Sequence, residues 1–97
     1  MDEAMPDRPL AREYVCAVVV TYHPERDFPD RLCRILPQVA ATFIIDNGSS
    51  DDEMNMLHGV AAQGVATLVC NRENLGVAAA LNIGARRALA QGINAFL

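Results

Sequence analysis

Residues Tyr14–Thr21 of this chain read YVCAVVVT, a nearly uninterrupted run of apolar and β-branched side chains. Such a run is typical of a strand that is buried on both faces, as the strands of parallel sheets are. A second apolar run, Thr42–Asp46, ends at an Asn47-Gly48 turn signal. A third run, Val65–Cys70, follows it, and Ile93–Leu97 begins a fourth. These four runs predict the strands of a parallel sheet.

Three segments with helical signals separate the predicted strands. The first helix begins near Pro29, which suits a first helical turn, and it ends early at Pro37. The second helix opens at the capping-box pattern of Ser50 and Glu53. The third helix carries apolar residues at helical spacing up to Gly92, a typical C-terminal stop. The order β-α-β-α-β-α-β predicts an α/β fold, an open and mostly parallel sheet with flanking helices and right-handed crossovers.

Composition limits the class of protein. The chain has 97 residues, of which 52% are hydrophobic and 21% charged, as expected for one folded domain. Twelve acidic residues outweigh eight basic ones, and the net charge of -4 disfavours nucleic acid as a partner. The longest apolar run, Val15–Val20, is far shorter than the ~20 residues that span a bilayer. The acidic N-terminus lacks the basic start of a signal peptide, so we expect a soluble protein.

The cysteines and histidines do not form a metal-binding or disulfide pattern. Cys16, Cys33 and Cys70 are odd in number and lie far apart, which supports neither zinc binding nor a disulfide framework. Two of them fall in predicted strands, where we expect buried, reduced thiols and a cytoplasmic location. His23 and His58 have no carboxylate or cysteine at ligand spacing, so we expect no metal site on either.

Polar residues follow three of the predicted strands. Residues 21–23, 46–49 and 71–74 read TYH, DNGS and NREN. The carboxyl ends of parallel strands lie at one edge of an open α/β sheet, which is where ligands bind. We therefore expect the functional site at this edge.

Several residues of these loops have two open interpretations. The Asp46 carboxylate can accept hydrogen bonds from a base imide or a ribose hydroxyl, or it can cap its own turn. Gly48 permits close approach of a ligand, or only a tight turn. Tyr22 can stack on a base or be a packed loop aromatic. Arg72 can pair with a base carbonyl or a phosphate, or with the neighbouring Glu73.

The segment before the third helix can receive phosphate. Asn74 and Gly76 precede an alanine-rich helix, whose N-terminal amides and dipole attract phosphate oxygens. Asn74 can also be the N-cap of this helix, and the two roles are compatible. The acidic run 51–53 is better explained by a preference for a helix N-terminus than by a metal cluster.

Three common enzyme motifs are absent from the sequence. The first predicted strand is not followed by G-x-G-x-x-G, and the chain contains no P-loop and no G-x-S-x-G elbow. This excludes nicotinamide-dependent hydride transfer on a Rossmann fingerprint, P-loop hydrolysis and serine-hydrolase chemistry.

Three segments in order resemble the N-terminal half of family 2 glycosyltransferases. They are Val18–Pro24 (VVVTYHP), Ile44–Ser49 (IIDNGS) and Asn74–Gly84 (NLGVAAALNIG). The resemblance runs from about Val15 to Leu97 and is greatest to bacterial rhamnosyltransferases that build O-antigen and other surface polysaccharides. Each motif alone is weak, whereas three in register are specific.

The resemblance implies a GT-A fold and transfer of a sugar, with inversion, from a nucleotide donor to a hydroxyl. The implied donor is a dTDP- or UDP-sugar, with dTDP-rhamnose as the first choice, and the acceptor is a saccharide or is lipid-linked. In the family, the first-strand loop and the second-strand Asp hold the nucleoside, and an N-x-G segment lies near the ribose and diphosphate. The expected nucleotide-binding residues are Thr21, Tyr22, Asp46, Asn47, Gly48, Arg72, Asn74 and Gly76.

Part of the family's machinery is not in this chain. The D-x-D-type metal motif of the family follows the fourth strand, and the catalytic base lies further on. We therefore expect residues 1–13 to be a flexible leader and residues 14–97 to be the nucleotide-sugar-binding part of a truncated GT-A domain. No catalytic or metal-binding residue is expected here, and this chain alone is expected to be inactive. For the full-length parent we expect Mg²⁺ or Mn²⁺ as the cofactor. We expect that parent to lie at the cytoplasmic face of the inner membrane.

Two other functions stay open at this point. One is a non-catalytic nucleotide-binding or assembly module. The other is a nucleotidyltransferase, although the Gly-rich loop with Arg that this group needs after the first strand is missing. A truncated sheet exposes apolar surface and a strand edge, so we also expect self-association.

Overall fold

The computed structural model describes residues 15–92 and 95–96. The predicted leader at 1–13 and the predicted strand residues Tyr14, Ile93, Asn94 and Leu97 lie outside this range. The strands are β1 (Val15–Thr21), β2 (Ala41–Asp46), β3 (Thr67–Cys70) and β4 (Ala95–Phe96), and the helices are α1 (Phe28–Ile35), α2 (Asp51–Ala62) and α3 (Val77–Ala90). A 3-10 turn at Leu36–Gln38 follows α1. The alternating order of strands and helices confirms the predicted α/β class.

The strands form one open parallel sheet in the order β3-β2-β1-β4. Thr21 pairs with Asp46, and Asp46 pairs with Cys70. The three longer strands therefore end level with one another, at the same edge. The chain steps outward from β1 to β3 and then returns past β1 to reach β4, an order that is compatible with a doubly wound sheet.

Helices cover both faces of the sheet because successive side chains of a strand point to opposite sides. On one face, Phe43 and Ile45 of β2 form a core with residues of β1 and α3. On the other face, Ile44 packs with residues of α1 and α2, among them Leu32 and Leu57. The alternation within β2 thus divides the interior into two cores.

The second strand, not the first, is the most buried part of the sheet. Residues 42–46 of β2 are all buried, whereas residues 18–20 of β1 are only partly buried. The expectation that the first strand is buried on both faces is therefore wrong for residues 18–20, which are only partly buried. The physical reason is strand order, since β2 pairs with β1 through six residues and with β3 through four, whereas β1 pairs with β4 only through Val15 and Cys16.

The helix starts agree with their sequence signals. Pro29 lies in the first turn of α1. Pro37 falls within the 3-10 turn that follows α1, so the helix ends early as predicted. Ser50 caps α2, and a complete capping box with Glu53 is present. No helix in the described part of the chain has the length and apolarity needed to cross a bilayer.

The three cysteines are free thiols, as expected, but only Cys16 is buried. Cys70 is exposed, which contradicts the expectation of a buried strand cysteine. It is the last residue of β3, and β3 is an edge strand, so no further strand covers its outer side.

Helix α3 exposes apolar side chains away from the sheet. Val77 is 63% exposed, Leu81 43% and Leu89 54%. Exposed apolar surface of this kind favours association. Self-association of this chain stays a prediction.

Helix α3 lies close to β1 because the face that it buries carries small residues. Ala80, Gly84 and Ala88 are the buried residues of this helix. A Cβ atom added at Gly84 would overlap Val18 Cγ1 and lie 3.1 Å from Val18 Cγ2. The valine side chain is branched at Cβ and rotates poorly, so the contact leaves no room for a methyl group.

We therefore expect Gly84→Ala to lower the free energy of unfolding by about 1–3 kcal/mol, the usual cost of overpacking. Gly59→Ala is the matched control, because Gly59 lies inside α2 and its Cβ would meet nothing within 4 Å. This control should raise the free energy of unfolding by about 0.5–1 kcal/mol. Urea unfolding followed by circular dichroism measures both, and equal effects of the two substitutions would contradict the packing argument.

Candidate functional site

The loops after β1, β2 and β3 meet at the carboxyl edge of the sheet and are joined by backbone hydrogen bonds. Asn47 N donates to Thr21 O at 2.9 Å, and Asn71 N donates to Asp46 O at 2.9 Å. The ladder of the sheet thus continues one residue beyond each strand. The three loops thus lie at the same edge of the sheet, as the sequence predicts, and these two bonds fix the register of each loop with its neighbour.

Asp46 organises the first two loops. Its side chain is buried, and Oδ1 accepts hydrogen bonds from Thr21 Oγ1 at 2.6 Å and from Ser49 Oγ. Oδ2 accepts from Gly48 N at 3.0 Å and from Ser49 N at 2.9 Å. These four donors fill the acceptor capacity of the carboxylate. The turn-capping role of Asp46 is therefore present, and its contact with a nucleoside stays a prediction.

The charge of Asp46 is stabilised by these donors. Burial by itself raises the pKa of the carboxyl group, but the hydrogen bonds from Ser49, Thr21 and Gly48 together outweigh it. The pKa of Asp46 consequently lies below its ordinary value of 3.8. The group is thus an anion at neutral pH, held by fixed donors inside the protein.

Asn47 joins the second loop to the third. Its side chain is 2% exposed. Asn47 Nδ2 donates to Gly76 O at 3.2 Å, and Asn71 Nδ2 donates to Asn47 Oδ1 at 2.8 Å. Asn71 was not among the expected site residues. A signal for it existed, because a polar residue directly after β3 must lie beside the residue directly after β2.

Two glycines shape the loops through their backbone. Gly48 has a φ of 103°, and a Cβ added there would lie 3.3 Å from Glu73 Cα. The backbone that approaches Gly48 is therefore that of the third loop. Gly76 has a φ of 86° and is the N-cap of α3. Both positions need a conformation that glycine adopts without strain.

Asn74 is not the N-cap of α3. The N-cap is Gly76, which has no side chain, and Asn74 Oδ1 accepts a hydrogen bond from Gly76 N at 2.8 Å. This is an Asx turn that orders the loop just before the helix. Helix α3 thus begins without a side-chain cap, and its first amides keep the capacity to bind an anion.

A cleft of about 560 Å³ lies between the second and third loops and α2. Of the expected site residues, Asp46, Gly48 and Arg72 line it. The others lie outside its lining, and they are Thr21, Tyr22, Asn47, Asn74 and Gly76. Arg72 has a φ of 67°, and the structure from 15 to 92 contains no ion pair between it and Glu73. Arg72 therefore lines the cleft and does not pair with Glu73.

The first loop carries an exposed aromatic side chain and an unexpected contact between a histidine and a carboxylate. Tyr22 is 53% exposed, so it is not a packed loop aromatic. Its ring centroid lies 4.2 Å from that of His23. His23 Nδ1 lies 2.7 Å from Glu53 Oε1, a carboxylate that local spacing could not reveal because it is in α2.

The described residues contain no group of three or more side chains that could together hold a metal ion. The acidic residues 51–53 occupy the first turn of α2, where the sequence places them. The divalent cation expected for a longer parent stays a prediction about residues outside this chain.

Two buried threonines provide a matched test of the Asp46 network. Thr21 and Thr42 are 4% and 3% exposed, but only Thr21 donates to Asp46. Thr42 Oγ1 has no hydrogen-bond partner within the part of the chain that the structure describes. We expect Thr21→Val to lower the free energy of unfolding by about 1–3 kcal/mol. Thr42→Val should leave it unchanged or raise it by up to about 1 kcal/mol; urea titrations that shift in the same direction would contradict the assignment.

The pKa of Asp46 also predicts the pH dependence of stability. Because the folded pKa lies below the ordinary value of 3.8, the unfolded chain binds more protons in acid. The stabilisation is present above the unfolded pKa and is lost as the pH falls through the folded pKa. Asp46→Asn should therefore show a flatter fall of unfolding free energy in acid than the wild type. Urea unfolding across the acid range measures this, and identical pH profiles would argue against it.

Comparison with known proteins identifies no relative of this chain. No protein-family model, no curated protein and no solved structure matches the chain. The resemblance to family 2 glycosyltransferases therefore stays an expectation that rests on three short motifs.

Proposed function

We propose that this chain is the donor-nucleotide-binding part of an inverting glycosyltransferase with a GT-A fold. The observation that carries the proposal is the set of three cross-linked loops at one edge of a parallel sheet, beside a cleft that presents Arg72. The strand order β3-β2-β1-β4 supports it, because sheets of this order bind nucleotides beyond the carboxyl ends of their strands.

The chemistry of the edge suits a nucleoside diphosphate. Arg72 supplies a planar guanidinium that can bind a base carbonyl or a phosphate with two parallel hydrogen bonds. Tyr22 supplies an exposed ring on which a base can stack, an interaction worth about 1–3 kcal/mol. The uncapped first turn of α3 supplies amides and a positive dipole end for the diphosphate.

Asp46 acts in this proposal mainly by shaping the loops. All four of its acceptor positions are occupied within the protein. A base imide can bind Asp46 only by displacing one of these donors, and the hydroxyls of Thr21 and Ser49 can rotate whereas the two backbone amides cannot. Direct recognition of the base therefore requires a rearrangement of one of these hydroxyls.

The sugar and the acceptor are proposed on the motifs alone. Their resemblance to rhamnosyltransferases favours dTDP-rhamnose as donor and a saccharide or lipid-linked hydroxyl as acceptor. Metal ion and catalytic base belong, in this proposal, to a longer parent, and no step through either is assigned to the residues of this chain.

The proposal is tested by calorimetric titration of the 97-residue chain with dTDP and with UDP. We expect a Kd between micromolar and low millimolar for one of them. Arg72→Gln should weaken binding about 10-fold or more, because a hydrogen bond to a charged group is worth about 1.5–3 kcal/mol.

Arg86→Gln is the matched control, since Arg86 is exposed on α3 and does not line the cleft. It should bind like the wild type. Absence of binding of both nucleotides at millimolar concentration, or equal weakening by the two arginine substitutions, would overturn the proposal.

A further inference from the structure

The backbone of His23 adopts an unfavourable conformation. Its φ is 54°, in the left-handed region that only a few per cent of non-glycine residues occupy, Asn, Asp and His more often than the others. Such a conformation persists only where surrounding contacts hold it. The residue directly follows Tyr22, so the contacts that hold His23 also determine where the Tyr22 backbone lies.

Two contacts hold His23, and both reach across to the segment after β2. His23 N donates to Ser49 Oγ at 2.9 Å, and Ser49 Oγ in turn donates to Asp46. The imidazole Nδ1 lies 2.7 Å from Glu53 Oε1. Since Thr21 also donates to Asp46, the first loop is fastened on both sides of Tyr22.

Hydrogen bonds from Ser50 hold the Glu53 carboxylate in position for this contact. Its Oε1 accepts from Ser50 N and from Ser50 Oγ, both at 2.8 Å, so the capping box fixes the carboxylate at the start of α2. The hydrogen bond from His23, followed by those from Ser50, holds the pKa of Glu53 below its ordinary value. The carboxylate is therefore an anion at neutral pH and accepts a proton-bearing Nδ1.

We propose that the His23–Glu53 pair is a latch that positions Tyr22 for a nucleoside base. By fixing the His23 ring, the latch presents a surface against which the Tyr22 ring lies, at a centroid distance of 4.2 Å and an interplanar angle of 55°. Tyr22 is thereby ordered before a ligand arrives, and a ligand does not have to order it. The role of the latch in binding rests on the proposed function, whereas the ordering of Tyr22 does not.

Three variants separate the latch from the capping of α2. His23→Asn removes the imidazole but keeps a residue type that tolerates positive φ, and it leaves the capping box intact. Ser50→Ala is the control, because it removes the capping hydroxyl while the backbone amide of residue 50 and the His23 ring still donate to Glu53 Oε1. Glu53→Gln keeps an acceptor for Nδ1 and should preserve the latch in part.

The first measurement is the backbone ¹⁵N order parameter of Tyr22. We expect about 0.85 in the wild type and in Ser50→Ala, a decrease toward about 0.6 in His23→Asn, and an intermediate value in Glu53→Gln. The ¹⁵N shifts of the His23 ring should place the proton on Nδ1 in the neutral wild-type ring, with His58 as an internal comparison. An unchanged Tyr22 order parameter in His23→Asn, or a neutral His23 ring protonated only on Nε2, would overturn the latch.

The second measurement is the affinity for dTDP and UDP. We expect about a five-fold increase of Kd in His23→Asn and little change in Ser50→Ala, as loss of preorganisation predicts. Equal affinity of His23→Asn and the wild type would overturn the role of the latch in binding. If the wild type binds neither nucleotide, the proposed function fails, and the order parameter alone decides whether the pair orders Tyr22.

Discussion

The buried carboxylate of Asp46 is the constraint on which the rest of the site depends. A charge removed from water is costly unless donors surround it, and here Thr21, Gly48 and Ser49 supply four of them. Meeting that requirement forces the chain to turn sharply after β2 and draws the end of β1 toward it. The same interaction that makes the carboxylate tolerable inside the protein therefore determines the shape of the first two loops.

The neighbouring residue extends this order to the third loop. Asn47 is buried and uncharged, and its amide both donates to Gly76 and accepts from Asn71. These two bonds fix the start of the third loop and the residue that caps α3. A buried amide without such partners would be destabilising, so the third loop contributes to the stability of the second as much as the reverse. The edge behaves as one hydrogen-bonded unit anchored on β2, which lies between β1 and β3.

Local signals were sufficient for most of the fold and for part of the site. The β-branched runs located the strands, and Ser50 with Glu53 located the start of α2, because both depend on residues close in sequence. Burial of β1 was overestimated because it depends on strand order, which a single run of side chains does not contain. The His23–Glu53 pair joins residues 30 positions apart, so spacing along the chain could not reveal it. The turn-capping role of Asp46 could be established only once its donors were known, since the same residue type serves a turn or a ligand.

The distribution of satisfied and unsatisfied groups indicates how recognition at this edge can work. Asp46 and Asn47 are saturated within the protein, and a ligand that took their hydrogen bonds would leave buried donors without partners. Their contribution to binding is therefore geometric. Groups with capacity to spare among the described residues include the exposed ring of Tyr22, Arg72 in the lining of the cleft and the uncapped amides of α3. These three offer stacking, paired hydrogen bonds and a positive dipole end, and a ligand that uses all of them must combine a flat polar ring with a phosphate.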